Sequence, residues 1–237
     1  MKSALILVIT CLTLSQIVLT AGPNFQKGLD ILEGKGITDI KPLKNSEENV
    51  ETFTFKDPDT GNTSFKAVAV LPMPYKHAMR LVEDMRLRQK WDSAIYDYET
   101  IEKMTGVEGR YSYYKVKMPV FFDNRDFVVE SYRTETFEGY NLVVMSNSVK
   151  HPSKPEVKKY TRAEMSNSYV FVKSLGRAKT EISFLIGVDP KGKITPGIYD
   201  IFSKKVPLEQ VQNMIKAYKT FKDLIVKEGD SWRNDQL

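Results

Sequence analysis

A basic and an acidic residue lie one helical turn apart in residues 86–98. Arg88 and Asp92 are four positions apart in "RLRQKWDSAIYDY", with Trp91 next to the acid. The segment follows an apolar-periodic stretch and precedes predicted strands, so it should lie against a core. Burying charges is costly unless they are paired or hold something polar. The pair therefore either faces water and contributes little, or lines an internal cavity and meets a ligand.

The rest of the chain offers few groups for catalysis. Neither of its two histidines, His77 and His151, has a serine and an acid spaced as in a catalytic triad. The single cysteine, Cys11, lies in the N-terminal segment, and no metal-ligand cluster or phosphate-binding glycine loop is recognisable. We therefore expect a binding protein that has neither a cofactor nor a bound metal. The rival is a cavity enzyme with Asp92 or Asp97 as general base.

Residues 1–21 have the pattern of a secretory signal peptide. Lys2 supplies a positive charge, residues 4–19 are mostly apolar, and small residues follow. The apolar run is shorter than the ~20 residues that a bilayer span needs. We expect cleavage near Ala21 and a location outside the cell or in the secretory-pathway lumen, with an uncleaved anchor as the alternative. Asn62 begins an Asn-Thr-Ser sequon, which is either a glycan acceptor or a plain surface turn.

The formal charge of +5 comes from basic residues that are scattered among acidic ones. No basic stripe is present, which argues against a nucleic-acid partner. So small an excess does not by itself establish attraction to an anionic membrane.

Residues 22–237 are predicted to form a single α+β domain. A short helix, two strands, an apolar-periodic helix over 75–86 and a short helix over 88–93 come first. A series of strands separated by turns then extends to residue 189, as in an antiparallel meander. A long amphipathic helix is predicted to begin at Pro207 and to end before Gly229. One curved sheet closed by one long helix leaves room between them.

Alternation in the central strands predicts a half-buried sheet. Three sets of residues each share one face: Tyr114, Val116 and Met118; Phe127, Val129 and Ser131; and Ile182, Phe184 and Ile186. Such a face can meet either a solid core or a ligand, and periodicity alone does not decide between them.

Several stretches resemble the START lipid-transfer domain. They are "WD" (91–92), "YYKVKMPVFFDNRDFV" (113–128), "SNSVKHPSKP" (146–155), "YTRAEM" (160–165) and "VDPKGKITPGIYDIFSKKVPLEQV" (188–211). The resemblance implies a helix-grip fold, in which a curved antiparallel sheet wraps around a long C-terminal helix and encloses a tunnel for one lipid. The stretch "KGKITPGI" departs from the family, whose members usually carry an aromatic or Ile-Pro step there.

The resemblance also implies a ligand site. In relatives that bind phospholipid or ceramide, the residues at the places of Arg88 and Asp92 hold the polar head, and a guanidinium suits a phosphate. Phosphatidylcholine-binding relatives surround choline with aromatic rings. Tyr114 and Phe127 occupy two of those places, and Ser131, on the face of Phe127, is also expected in the tunnel.

Two features leave the identity of the ligand undecided. The third aromatic place is occupied by Ser166, and Asp97 matches an acidic cavity position of sterol-binding relatives. A phosphatidylcholine-like phospholipid, transferred between membranes, is the favoured ligand. A sterol carrier or sensor is the alternative.

The predicted loop between residues 118 and 125 has an apolar tip formed by Val120, Phe121 and Phe122. Because loops usually run over the surface and are polar, this tip either tucks into the domain or meets a membrane. In the START family the matching loop lies beside the C-terminal helix at the tunnel mouth. The expected partners are therefore a lipid ligand and, transiently, a membrane surface, with the protein as a monomer.

Overall fold

The computed structural model describes residues 23–42, 50–119, 121–192 and 196–228. The predicted signal peptide, residues 1–21, and Val120 of the predicted gate lie outside the described residues.

The described residues form four helices and ten strands. The helices are α1 (Phe25–Leu32), α2 (Tyr75–Glu83), α3 (Met85–Trp91) and α4 (Pro196–Glu228). The strands are β1 (Thr38–Pro42), β2 (Val50–Lys56), β3 (Thr63–Leu71), β4 (Ile95–Lys103), β5 (Gly109–Val116), β6 (Arg125–Thr134), β7 (Leu142–Ser148), β8 (Thr161–Arg162), β9 (Glu164–Ser174) and β10 (Thr180–Asp189).

The strands build one sheet in the order β1-β2-β3-β10-β9-β7-β6-β5-β4. Neighbours along this order pair antiparallel, and the short β8 pairs parallel with the start of β6. The sheet packs around the C-terminal helix, so the predicted helix-grip α+β fold is confirmed. A bulge in the β9–β10 pairing lies between Leu185 and Gly187. Glycine is required there, because a Cβ atom at Gly187 would lie 2.2 Å from the carbonyl oxygen of Ser166.

The main core lies between the concave face of the sheet, α2 and α4. Helix α4 contributes Val211, Met214, Ala217 and Ile225, each at most 2% exposed. The helix begins at Pro196 rather than at Pro207, and proline is favoured in a first turn because its missing N–H costs nothing there. No described helix, α4 included, is both long and apolar enough to cross a membrane.

A second core lies on the convex face of the sheet, under α1. Leu29, Ile31 and Leu32 of α1 pack there against Phe55 and Tyr169. Burial of both faces of the central strands fixes their register, so the concave side chains have defined positions.

Candidate ligand-binding cavity

A cavity of about 760 Å³ lies between the concave face of the sheet, α3 and α4. Strands β4, β5 and β6 line it along most of their length, and apolar and aromatic side chains form most of its wall. A volume of this order is typical of sites for small organic ligands. This part of the concave face thus encloses space and is not solid core. Among the described residues, no group of three or more histidine, cysteine or acidic side chains is arranged to hold a metal.

Helix α3 brings the first charged pair to the cavity wall. Its N-cap, Asp84, accepts a hydrogen bond from the backbone N–H of Leu87 at 3.1 Å. Leu87 is buried in the main core, and the next residue, Arg88, lines the cavity. The helix ends at Trp91, so Asp92 stands at its C-cap and also lines the cavity.

Asp92 is held from three sides. Its Oδ2 accepts hydrogen bonds from Nε of Arg88 at 3.3 Å and from Nε2 of Gln210 on α4 at 3.0 Å. Its Oδ1 accepts one from the backbone N–H of Ala94 at 3.2 Å. The residue is only 3% exposed. The interpretation as a solvent-exposed surface pair is therefore wrong, and the pair lies in the cavity wall.

Arg88 keeps donors available for a ligand. Its Nε is bonded to Asp92, whereas its two Nη atoms have no hydrogen-bond partner among the described residues. The guanidinium carbon lies 5.8 Å from the centre of the Trp91 ring. A guanidinium oriented by one carboxylate, with its remaining N–H groups directed elsewhere, is suited to bind a phosphate or carboxylate.

An aromatic row crosses the cavity floor. Tyr98 of β4, Tyr114 of β5 and Phe127 of β6 are register partners on neighbouring strands. The Tyr98 and Tyr114 rings are 6.4 Å apart at 19°, and the Tyr114 and Phe127 rings are 5.5 Å apart at 29°. Burial raises the pKa of the Tyr114 phenol well above its usual value, so the ring is neutral. Nearly parallel rings in an apolar site can bind a quaternary ammonium group by cation–π attraction.

Tyr98 was missed by sequence reasoning, which placed Asp97 in the cavity instead. That placement is wrong, because the Asp97 carboxylate is half exposed and forms an ion pair with Lys115 outside the cavity. A register shift in the β4–β5 pairing lies between Ile95 and Asp97. As a result Ile95 and Tyr98, three positions apart, both line the cavity. Simple alternation from Ile95 would have pointed Asp97 inward.

Ser166, which occupies the place of the third aromatic ring in the phosphatidylcholine-binding relatives, does not line the cavity. It lies at the β9–β10 bulge, opposite Gly187. Ser131 does line the cavity, and its Oγ lies 2.9 Å from Oγ of Ser146 on β7. Tyr114, Phe127 and Ser131 all line the cavity, where the resemblance to the START domain led us to expect them.

The loop between β5 and β6 exposes one aromatic ring. Phe121 is 92% exposed, so it is not a core residue, whereas Phe122 is half-buried. Asn124 closes the base of the loop by accepting a hydrogen bond from the backbone N–H of Met118 at 3.0 Å. Buried Arg125 joins this base to the segment before α4, donating from Nε to the carbonyl oxygen of Pro190 at 2.7 Å. The loop thus lies beside the end of the cavity that faces α4.

The fold and the cavity define the class of protein: a helix-grip protein with a ligand-sized apolar space between its sheet and its C-terminal helix. A family model for the START domain matches residues 41–223, and the chain belongs to the START domain family.

Two curated relatives are START domain-containing protein 10 of Mus musculus and of Homo sapiens. Each is 28% identical over 145 residues, which are 61% of this chain and 49% of the relative. The match thus spans about half the length of these relatives.

Two solved structures are similar throughout. The crystal structure of human STARD10 gives a TM-score of 0.74 at 22% identity, covering 91% of this chain and 89% of that chain. The structure of human StAR-related lipid transfer protein 5 gives a TM-score of 0.72 at 18% identity, covering 84% of this chain and 97% of that chain. At these identities the similarity shows the fold.

Proposed function

We propose that this protein binds one phospholipid in its cavity and transfers it between membranes as a monomer. The observation that carries the proposal is the large apolar cavity with the Arg88–Asp92 pair in its wall. The apolar space suits acyl chains, and the free Nη atoms of Arg88 suit a phosphate. Membership of the START domain family supports the same function.

A phosphatidylcholine-like head group is the favoured ligand. The row formed by Tyr98, Tyr114 and Phe127 offers ring faces in a buried setting, which suits the trimethylammonium group of choline. The alternative, a sterol carrier or sensor, loses part of its support because Asp97 lies outside the cavity. A cavity enzyme would need a general base, whereas the Asp92 carboxylate already accepts three hydrogen bonds.

Membrane contact is proposed to occur through the β5–β6 loop. The exposed ring of Phe121 can enter the head-group region, and full burial of one such ring is worth roughly 1.5–3 kcal/mol. Lys117 and Lys159 flank the loop, and neither has a carboxylate within ion-pair distance among the described residues. A hydrogen bond from the Thr161 N–H to the Asn124 carbonyl keeps the Lys159 segment beside the loop. Contact of this kind would be brief and reversible.

The protein is further proposed to act outside the cell or in the secretory-pathway lumen. The support is the signal-peptide pattern of residues 1–21.

The test is to identify what the purified protein binds and moves. Mass spectrometry of the lipid extracted from it should detect intact phospholipid. Incubation with donor vesicles of labelled phosphatidylcholine and unlabelled acceptor vesicles should then move intact lipid between them. Release of a chemically altered product would instead identify an enzyme, and retention of sterol alone would favour the sterol carrier.

A further inference from the structure

A second polar row crosses the concave face, away from the aromatic row. Arg110 of β5, Ser131 of β6, Ser146 of β7 and Ser168 of β9 are successive register partners, and all four line the cavity. Arg110 precedes Tyr114 by four positions on the same strand. At about 3.3 Å per residue, the two rows are therefore about 13 Å apart along β5.

Within this row, the Ser131–Ser146 pair can donate to a ligand, whereas the Ser168 hydroxyl already donates to backbone carbonyl oxygens. The hydroxyl groups of Ser131 and Ser146 are 2.9 Å apart, and one hydrogen atom suffices for the bond between them. Each hydroxyl carries one donor, so the pair keeps a hydrogen atom that is not used between them. Because strands are about 4.8 Å apart, the long Arg110 side chain and this pair can contact the same ligand group.

Arg110 is held in place without being neutralised. Its Nη2 donates to the backbone carbonyl oxygen of Glu83 at 3.2 Å, and none of the described carboxylates forms an ion pair with it. The acidic side chains of the cavity wall pair elsewhere: Asp92 with Arg88, and Glu83 and Glu108 with Arg133. The charge of Arg110 therefore acts on the contents of the cavity.

The cavity wall as a whole is electropositive. Five basic and three acidic side chains line it among the described residues: Arg88, Lys103, Arg110, Arg125 and Arg133, and Glu83, Asp92 and Glu108. Burial is the main influence on the Tyr114 hydroxyl and raises its pKa, whereas Arg88 and Arg110 both act to lower it. Both guanidinium groups are thus close enough to the Tyr114 hydroxyl to act on it electrostatically.

We propose that Arg110 and the Ser131–Ser146 pair form a second binding point for an anionic group of the cavity ligand. The inference rests on the proposed lipid-binding function and extends it from zwitterionic phospholipids to acidic lipids. The shared chemistry is a phosphate monoester or a carboxylate, which a guanidinium binds through two N–H groups. A zwitterionic head group uses Arg88 and the aromatic row and does not need Arg110.

The test compares three probes on the wild-type protein and on Arg110→Gln. The purified protein is incubated with vesicles of dioleoyl phosphatidic acid, with vesicles of dioleoyl phosphatidylcholine, or with oleate, and is then separated from free lipid. Retained lipid is measured by mass spectrometry. Arg177→Gln, at the exposed turn between β9 and β10, removes the same charge outside the cavity and is the matched control.

We expect Arg110→Gln to lower retention of phosphatidic acid about tenfold, since hydrogen bonds to charged groups are the strong ones, while phosphatidylcholine retention stays unchanged. A parallel loss of oleate would show that a carboxylate suffices, and a loss of phosphatidic acid alone would identify the phosphate. Arg110→Lys should restore part of the retention. Ser146→Ala, which leaves Arg110 intact, should lower retention of phosphatidic acid by a smaller factor. This second variant still tests the proposed site if Arg110→Gln folds poorly.

Two results would overturn the inference: unchanged retention of phosphatidic acid in Arg110→Gln, or an equal loss of both phospholipids at unchanged thermal stability. Failure of the wild-type protein to retain lipid from any probe would instead contradict the proposed function itself.

Discussion

The side-chain nitrogen of Gln210 lies 3.0 Å from the carboxylate of Asp92 and joins the end of α3 to the C-terminal helix. The same carboxylate orients Arg88. Asp92 is therefore a positioning residue for the ligand site and a contact between two helices. Substituting it changes both roles, so Arg88 is the better position at which to test ligand binding.

Arg88→Gln should lower phospholipid retention about tenfold, because it removes the free guanidinium donors. The loss of stability should stay below the roughly 3–5 kcal/mol typical of an unpaired buried charge, because Gln210 and Ala94 still donate to Asp92. Retained lipid and thermal unfolding should be measured together. Arg86→Gln, exposed on the same helix and outside the cavity, is the control. Equal lipid retention in all three proteins would show that the head group binds elsewhere.

Tyr98→Leu should lower phosphatidylcholine retention about three- to tenfold, since a cation–π contact in a dry site is worth up to about 2 kcal/mol. Tyr98→Phe keeps the ring and loses the hydroxyl, which lies 3.0 Å from the Thr100 hydroxyl. It should therefore retain phosphatidylcholine like the wild type. Competition between labelled phosphatidylcholine and phosphatidylglycerol measures the effect. If the leucine variant still prefers choline, the aromatic row does not hold the head group.

Phe121→Ser should weaken binding to vesicles about fivefold and slow lipid transfer, since partial burial of one ring is lost. The free energy of unfolding should change by less than about 0.5 kcal/mol, because the ring is exposed in the free protein. Vesicle co-sedimentation and thermal unfolding report the two quantities. Leu175→Ser removes an exposed apolar side chain at a distant turn and should change neither vesicle binding nor the free energy of unfolding. Normal transfer by Phe121→Ser would place the membrane contact elsewhere.

The contact between α2 and α4 should weaken in mildly acidic solution. Nδ1 of His77 on α2 lies 3.3 Å from the Tyr218 hydroxyl on α4. Burial lowers the pKa of His77, and the positive charges of Lys222 and Arg80 lower it further. The unfolded chain, with the ordinary pKa of 6.5, therefore binds more protons in this range, and stability is lost as the pH falls through about 6.5.

Thermal unfolding between about pH 7.5 and 5.5 measures this dependence. His77→Gln cannot titrate and should give a flatter profile over that range than the wild type. An unchanged slope in His77→Gln would assign the pH dependence to other groups.

The parts of the site that follow from local patterns could be predicted from the sequence. The spacing of Arg88 and Asp92 places them on one helix face, and alternation places Phe127 and Ser131 on one face of their strand. The resemblance to the START domain, and not alternation, placed Tyr114 beside Phe127. The inward position of Tyr98 could not be predicted, because it depends on a bulge that alternation does not reveal. Gln210 could not be found either, since it meets Asp92 across 118 positions of sequence. Contacts of that kind depend on how the sheet closes around α4.

Arg125 donates two hydrogen bonds to residues outside its own loop, and these bonds hold two segments of the chain together. Its guanidinium reaches the carbonyl oxygens of both Pro190 and Lys191, just before α4, while its backbone begins β6 at the base of the loop that carries Phe121. An outward movement of this loop would therefore either carry Pro190 and Lys191 with it or break both hydrogen bonds. If the proposed lipid enters beside this loop, its entry would require the two segments to move together, and the strength of the Arg125 contacts would set the force needed.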